Sequence, residues 1–361
     1  MATWLTGWLR SRPAARGAAR QGGASAAAPV RRPESRTSGG PARLPERPGD
    51  GRSEARQAPD GRAQQSAAPV VVVRGLRHTY ADGTSLDYGS VPFEVGAGER
   101  VVLVGPNGAG KSTFLLHVLG LIEPQAGEVL VFGRPPAKLA PHERVQIGAL
   151  LQQVDEQIIG PTVWDDVAFT PRNLGLDRAD VERLTEAALR RLEIWHLRDK
   201  VVHSLSAGER RKVALAGAIV CSAGAGFGPR LLVMDEPFAA LDPRSRAHLL
   251  ALLEDLRREH GTAVLMATHF VHAVPEFADT VYALAPRGRI AAHGRPERVF
   301  GQPEVLEALN IEPPVLAQLF RSLERRGIAL PPTLSVEHAA ELLARHCRTG
   351  GRRLPDPPRP R

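Results

Sequence analysis

Cysteine is nearly absent: Cys221 and Cys347 are the only two in 361 residues, and they share no metal-ligand spacing. That pair supports neither a disulfide framework nor a thiolate metal centre, and two free thiols in a reducing compartment are the expectation. Long apolar runs are missing too. No stretch approaches the roughly 18 residues that a membrane-spanning helix needs, so the protein is expected to be soluble or peripheral and any channel must belong to a partner. Residues 1–66 contain no lysine, no acid before Glu34 and no signal-peptide apolar region. Rich in Ala, Arg, Gly, Pro and Ser, they have little to bury and are expected to be a disordered tail. Trp4, Leu5, Trp8 and Leu9 would share one helical face. Such an Arg-rich, acid-poor beginning fits an organellar transit peptide or a segment resting on anionic lipid. A solvated tail is the favoured reading. No internal repeat is present.

The net charge of +8 divides unevenly: residues 1–66 carry +7 and residues 343–361 carry +5, which leaves −4 on residues 67–342. The basicity lies in the tails and the globular part is mildly acidic, so nucleic acid is not an expected partner.

What the chain does have is a phosphate-binding loop. Gly105, Pro106, Asn107, Gly108, Ala109, Gly110, Lys111, Ser112 and Thr113 follow two apolar residues and fit G-x-x-x-x-G-K-S. Backbone N–H groups of such a loop converge on an anion, and the positive end of the next helix adds to the attraction. Lys111 is the candidate for the β- and γ-phosphates of a nucleotide, and the Ser112 hydroxyl for Mg²⁺.

The surrounding texture alternates. Residues 70–73, 91–95, 101–104, 129–132, 147–151, 231–234, 263–267 and 280–283 read as strands. Residues 115–121 and 248–256 read as helices, as do 181–192 and 209–220 within a helical insertion at about 153–222. Strands alternating with helices imply an α/β fold with a largely parallel sheet. After residue 300, the patterns at 315–325 and 335–344 form a small helical appendage over 301–346, followed by a Pro- and Arg-rich tail at 347–361 that is expected to be disordered.

Two further stretches carry chemistry. An apolar strand at 231–234 ends in Asp235 and Glu236, at the place where an open α/β sheet binds its ligand. Asp235 is a candidate Mg²⁺ ligand and Glu236 the candidate general base toward the attacking water. Ser206, Ala207 and Gly208 stand at a helix N-terminus, which attracts anions. The same Ser-x-x-Glu pattern also reads as an ordinary capping box closed by Glu209.

In this order the motifs resemble those of the ATP-binding-cassette (ABC) ATPase family. Residues 105–113 look like its Walker A, 205–209 like its signature, 231–236 like its Walker B, 240–242 like its D-loop and 267–269 like its switch histidine. The resemblance, over about 70–300, implies a RecA-like P-loop core with an antiparallel β subdomain and an α-helical subdomain. It further implies that Tyr80 stacks on adenine, that Gln152 senses Mg²⁺ and couples to the transporter, and that His269 holds the γ-phosphate or the attacking water. Ser206, Ala207, Gly208 and Asp242 would meet nucleotide across a head-to-tail dimer, formed with an identical or a related ATPase. Three departures stand out. Ala207 and Glu209 replace Gly and Gln, residues 222–230 exceed the family's usual link, and Phe270 follows the switch histidine where Asp is common.

Within the family, Gln157-Ile158-Ile159-Gly160-Pro161-Thr162-Val163 and Asp165-Asp166-Val167-Ala168-Phe169 resemble the cobalt/nickel and energy-coupling-factor importers, although Gln153-Val154 replaces a common Asn-Pro. The tail from Glu312 to Pro332 resembles the appendage of the same group. The implied protein is an ATPase motor at the cytoplasmic face of the membrane, bound to integral membrane transport subunits. The rival reading is a non-transport ABC ATPase acting on nucleic acid or ribosomes; a stand-alone P-loop kinase is disfavoured by Ser206, Ala207, Gly208 and His269.

Overall fold

Short apolar runs bounded by Gly and Asp-Gly turns make the strands of this chain, and their register decides where the loops meet. The computed structural model describes residues 68–220, 229–239 and 241–348. Both expected tails, apart from the first two residues of the second, lie outside these, as do Cys221, residues 222–228 and Ala240.

The central sheet holds β4 (Arg100–Val104), β6 (Ile147–Leu150), β7 (Leu231–Asp235), β8 (Ala263–Thr268), β9 (Thr280–Leu284) and β10 (Ile290–Gly294), in the order β10-β9-β4-β8-β7-β6. All neighbours run parallel except β9 and β10. Its strands are apolar on both faces, as a sheet covered on both sides requires. Val102, Val104, Leu232 and Met234 enter one buried cluster, while Val101, Leu103, Leu231 and Val233 enter the other. Each such side chain contributes about 1.5–3 kcal/mol on burial. The pairing register sets Val104 beside Thr268, Asp235 beside Ala267 and Leu150 beside Met234. Strands β4, β6, β7 and β8 therefore end along one edge, and the loops that follow them emerge together.

A smaller antiparallel sheet joins β1 (Val71–Thr79), β2 (Ser85–Asp87), β3 (Phe93–Val95) and β5 (Ala126–Val131). Phe93 and Tyr88 meet Phe114 edge-on at 4.6 and 5.1 Å, which fixes this sheet against α1 (Lys111–Val118). The helical region holds α2 (Arg178–Arg191) and α3 (Ala207–Ile219); α4 (Pro243–His260) then returns to the sheet. Arg100 at the start of β4 bonds Glu254 of α4 and Asp279 before β9, each at 2.9 Å.

Differences from the sequence expectations are local. The first strand continues to Thr79, and the expected strand over 91–95 shrinks to three residues. β2 and β10 have no counterpart in the expectation: β2 is three residues with one buried, and β10 is rich in Ala and Gly. The appendage adds a short helix at Pro303–Ala308, which the expectation lacked, to α5 (Val315–Arg325) and α6 (Val336–Arg348), the latter running past the expected end at 344 and including Cys347 and Arg348.

Candidate nucleotide-binding and hydrolysis site

The loop at 105–110 leaves β4 and turns into α1. Gly110 occupies the N-cap position at φ 95°, with no side-chain cap on the helix. A Cβ there would lie 2.9 Å from both Leu86 Cδ1 and Tyr88 Oη, and one on Gly105 would lie 2.8 Å from the Leu284 carbonyl oxygen. Both glycines are therefore dictated by close approach. The Tyr88 hydroxyl donates to the Gly110 carbonyl at 2.8 Å, holding the turn from beneath. Pro106, Asn107, Gly108 and Ala109 complete the loop, with Asn107 and Gly108 exposed and Ala109 buried. Lys111 is buried, and its Nζ donates to the carbonyls of Gly105 at 2.8 Å and Pro106 at 3.1 Å. Burial holds its ammonium below the ordinary lysine range, against the pull of Glu236 and Asp235.

The end of β7 brings two carboxylates to the same edge. Asp235 is buried, and burial raises its carboxyl, opposed by a hydrogen bond with the Ser112 hydroxyl and by the charges of Lys111 and Arg211. Its Oδ1 is buried without a hydrogen-bond partner. Glu236 adopts φ 49°, the left-handed region that non-glycine residues rarely enter. Its N–H donates to the Ala267 carbonyl at 2.8 Å. Its carboxylate accepts from the Thr268 hydroxyl at 3.0 Å and from the His269 N–H at 2.9 Å, and His269 Nδ1 lies 2.8 Å from its Oε1. Lys111, Ser112, Asp235, Glu236 and His269 thus converge at one end of the sheet.

Other expected residues stand at its margins. Tyr80 is half-exposed, its hydroxyl paired with Thr113 Oγ1 and its ring edge-on to His78 at 4.6 Å. Gln152 is exposed just past β6, and its side chain has no hydrogen-bond partner among the described residues. The bracing of that strand end falls to Gln157, which accepts from Leu151 N–H at 3.0 Å and donates to the Ala149 carbonyl at 2.7 Å. Asp242 is exposed and caps α4 through Ser245 N–H at 2.8 Å and its hydroxyl at 2.9 Å. Phe270 packs beside Phe238, with the Arg246 guanidinium 4.2 Å above its ring. The departure from Asp is therefore a stacking contact with α4.

Ser206, Ala207 and Gly208 lie apart from this convergence. Ser206 Oγ accepts from Glu209 N–H at 3.3 Å, while the Glu209 carboxylate accepts from Ser206 N–H at 2.7 Å. These bonds hold the Glu209 carboxyl below its usual range. Ser206 and Ala207 are exposed, and among the described residues no hydrogen bond joins 206–208 to the P-loop.

Sequence reasoning missed Arg211, Thr268 and Tyr88. Arg211 is buried, and its guanidinium donates to the Glu236 carbonyl. A signal for it existed: helical spacing sets Arg211 on the buried stripe of Leu215 and Ile219.

The ABC transporter family model matches residues 88–239. The energy-coupling factor transporter ATP-binding protein EcfA of Methanoculleus marisnigri is 40% identical over 272 residues, covering 75% of this chain and 95% of that protein. Its namesake in Methanocaldococcus jannaschii is 38% identical over 260 residues, covering 71% and 90%. Among solved structures, cbiO1 of Clostridium perfringens, described as part of the ABC transporter complex cbiONQ, aligns at TM-score 0.56 and 32% identity, covering 70% of this chain and 99% of that one. An apolar parallel sheet, a P-loop at its edge and similarity over nearly the full length of these relatives agree: the chain belongs to the ABC transporter ATP-binding subunits, in the company of the energy-coupling factor group, and is an ATP-hydrolysing enzyme.

Proposed function

We propose that this chain is the motor subunit of an energy-coupling factor type importer that takes up a transition-metal ion such as cobalt or nickel, or a vitamin. The observation that carries the hydrolytic part is the clamp on Glu236: Thr268 and the His269 N–H both bond one carboxylate beside the P-loop lysine, with His269 Nδ1 2.8 Å from it. On this reading the 105–113 amides and Lys111 hold the triphosphate, and Tyr80 stacks on the adenine. Glu236 takes a proton from the attacking water, and His269 holds the γ-phosphate or that water.

The unpartnered Asp235 Oδ1 beside the Ser112 hydroxyl fits a hard cation. Ser112 and Asp235, with Gln152 at the margin, would hold Mg²⁺. Bound there, the ion supplies charge neutralisation at the β- and γ-phosphates.

Ser206, Ala207 and Asp242 are exposed, Gly208 is half-buried, and all four are unattached to their own P-loop, which supports their meeting the nucleotide of a second subunit in a head-to-tail dimer. No helix among the described residues is long and apolar enough to cross a membrane. On this reading transport runs through membrane-embedded partners, with this subunit peripheral at their cytoplasmic face. The relatives' names, which include energy-coupling factor transporter and the cbiONQ complex, support that partnership.

Copurification in mild detergent, followed by reconstituted uptake of cobalt, nickel or vitamins with the recovered membrane partner, tests the proposal. The wild-type complex should accumulate one of these solutes on ATP, and Glu236→Gln should stop uptake while trapping an ATP-bound dimer on gel filtration. Recovery of nucleic acid or ribosomes in place of a membrane protein would overturn the transport reading.

A further inference from the structure

The buried guanidinium of Arg211 has no place in the hydrolytic scheme so far, yet it touches the residue on which that scheme turns. A buried cation ordinarily faces a carboxylate. Arg211 instead donates to a main-chain carbonyl, that of Glu236. The same carbonyl also accepts from Ala239 N–H at 3.1 Å. Glu236 needs such anchoring, because its φ of 49° is a conformation that a residue with a Cβ rarely keeps unaided. Its carboxylate is aimed by Thr268 and His269, whereas its carbonyl is reached from a different element.

That element is α3, which opens at Ser206 and carries Arg211 on its buried side. Five residues of helix separate the two, about 7.5 Å along the axis. One rigid turn and a half thus connects an exposed helix N-terminus to the backbone of the base.

We propose that Arg211 is a positioning residue for hydrolysis, tying the start of α3 to the backbone of Glu236 so that what docks at 206–208 is transmitted to the catalytic carboxylate. The inference rests on Glu236 being the base. Displacement of α3 by a nucleotide held in the opposite subunit would move the guanidinium and, with it, the carbonyl it grips. The two sites of a dimer would then be coupled through one side chain each.

Single-turnover ATP hydrolysis and equilibrium ATP binding by the full chain test this, using wild type, Arg211→Met, Arg211→Lys, Glu236→Gln and the double variant Arg211→Met/Glu236→Gln. Misaiming the base should cost Arg211→Met about a hundredfold in rate with ATP affinity within about twofold, and Arg211→Lys should restore part of the rate. In the Glu236→Gln background, Arg211→Met should produce no further loss, because a residue that acts through the carboxylate has nothing left to aim. Equal losses in both backgrounds, or an unchanged rate in Arg211→Met, would overturn the positioning role and leave the base assignment standing. Undiminished hydrolysis by Glu236→Gln alone would overturn the base assignment, and the Arg211 role with it. If thermal melting shows Arg211→Met unfolded, Arg211→Lys carries the same comparison: a smaller loss in the wild-type background and none in Glu236→Gln supports the role, and equal losses in both refute it.

Discussion

Helices α1 and α3 both start at loops suited to anions, and their N-termini are prepared in opposite ways. At α1 the cap is Gly110, in the left-handed region, with no side chain answering the first amides. Those donors stay open for a ligand, and the nearby cation, Lys111, is buried and bent over its own loop. At α3 the cap is Ser206, whose hydroxyl already accepts from the helix while Glu209 answers the Ser206 N–H. The first end is a cradle of uncapped amides set within the fold. The second is a finished helix terminus exposed at the surface, with a carboxylate beside it. A cradle binds alone, whereas a capped end adds only what its remaining amides and dipole offer to something brought against it.

This contrast predicts unequal consequences of mutation. The largest effect belongs to the cradle: Lys111→Ala should lower ATP turnover by about a hundredfold or more, since on the proposed reading the buried cation that answers developing phosphate charge is lost. Phosphate release by the assembled complex checks it, and undiminished turnover would remove α1 from the chemistry. Next comes Ser206→Ala. Loss of the cap should destabilise α3 by about 1 kcal/mol and weaken ATP-driven association, yet leave ATP binding to the isolated subunit unchanged. Calorimetric titration beside gel filtration separates the two, and an equal loss in both would erase the distinction between the helix ends.

The smallest effect is expected of Glu209→Gln. A carboxylate held a few ångströms from docking phosphate costs about 1 kcal/mol in a water-like medium, so its removal should tighten ATP-dependent dimerisation about fivefold. The sign with pH follows from its bonds. Because the folded-state carboxyl lies below its usual value of 4.5, Glu209 stays charged in the folded protein at and above that pH. The difference between variant and wild type should therefore be flat from pH 6 to 8. It should shrink only well into acid, where the capping box also loses its contribution to stability. A difference that varies between pH 6 and 8 would point to another group.

Much of this was legible in the chain. The P-loop and the two acids after 231–234 are local patterns, and apolar runs long enough to be buried on both faces already indicate a covered parallel sheet. The Ser-x-x-Glu ambiguity at 206–209 was also visible, and the structure shows the capping box formed. Less legible were β2 and β10, where three residues or an Ala- and Gly-rich stretch give too little alternation to read. Gln157 was recognised only as part of a motif; its bracing of Leu151 and Ala149 comes from a chain reversal that spacing does not reveal. Phe270, in place of the usual Asp, is explained only by the Arg246 and Phe238 side chains against it, which come from elsewhere in the chain.

By itself, the sequence determined that this protein binds a nucleotide phosphate. Glycines at 105, 108 and 110 followed by Lys111 and Ser112 impose that chemistry through backbone donors and local geometry alone. Only the tertiary structure decided which groups act on one another. Parallel register carries Thr268 and His269 to Glu236 across 32 and 33 residues of chain, and packing carries Arg211 to its carbonyl from 25 residues before it. Contacts of that separation depend on strand order and helix packing, which are set by burial over the whole sheet and by no single motif.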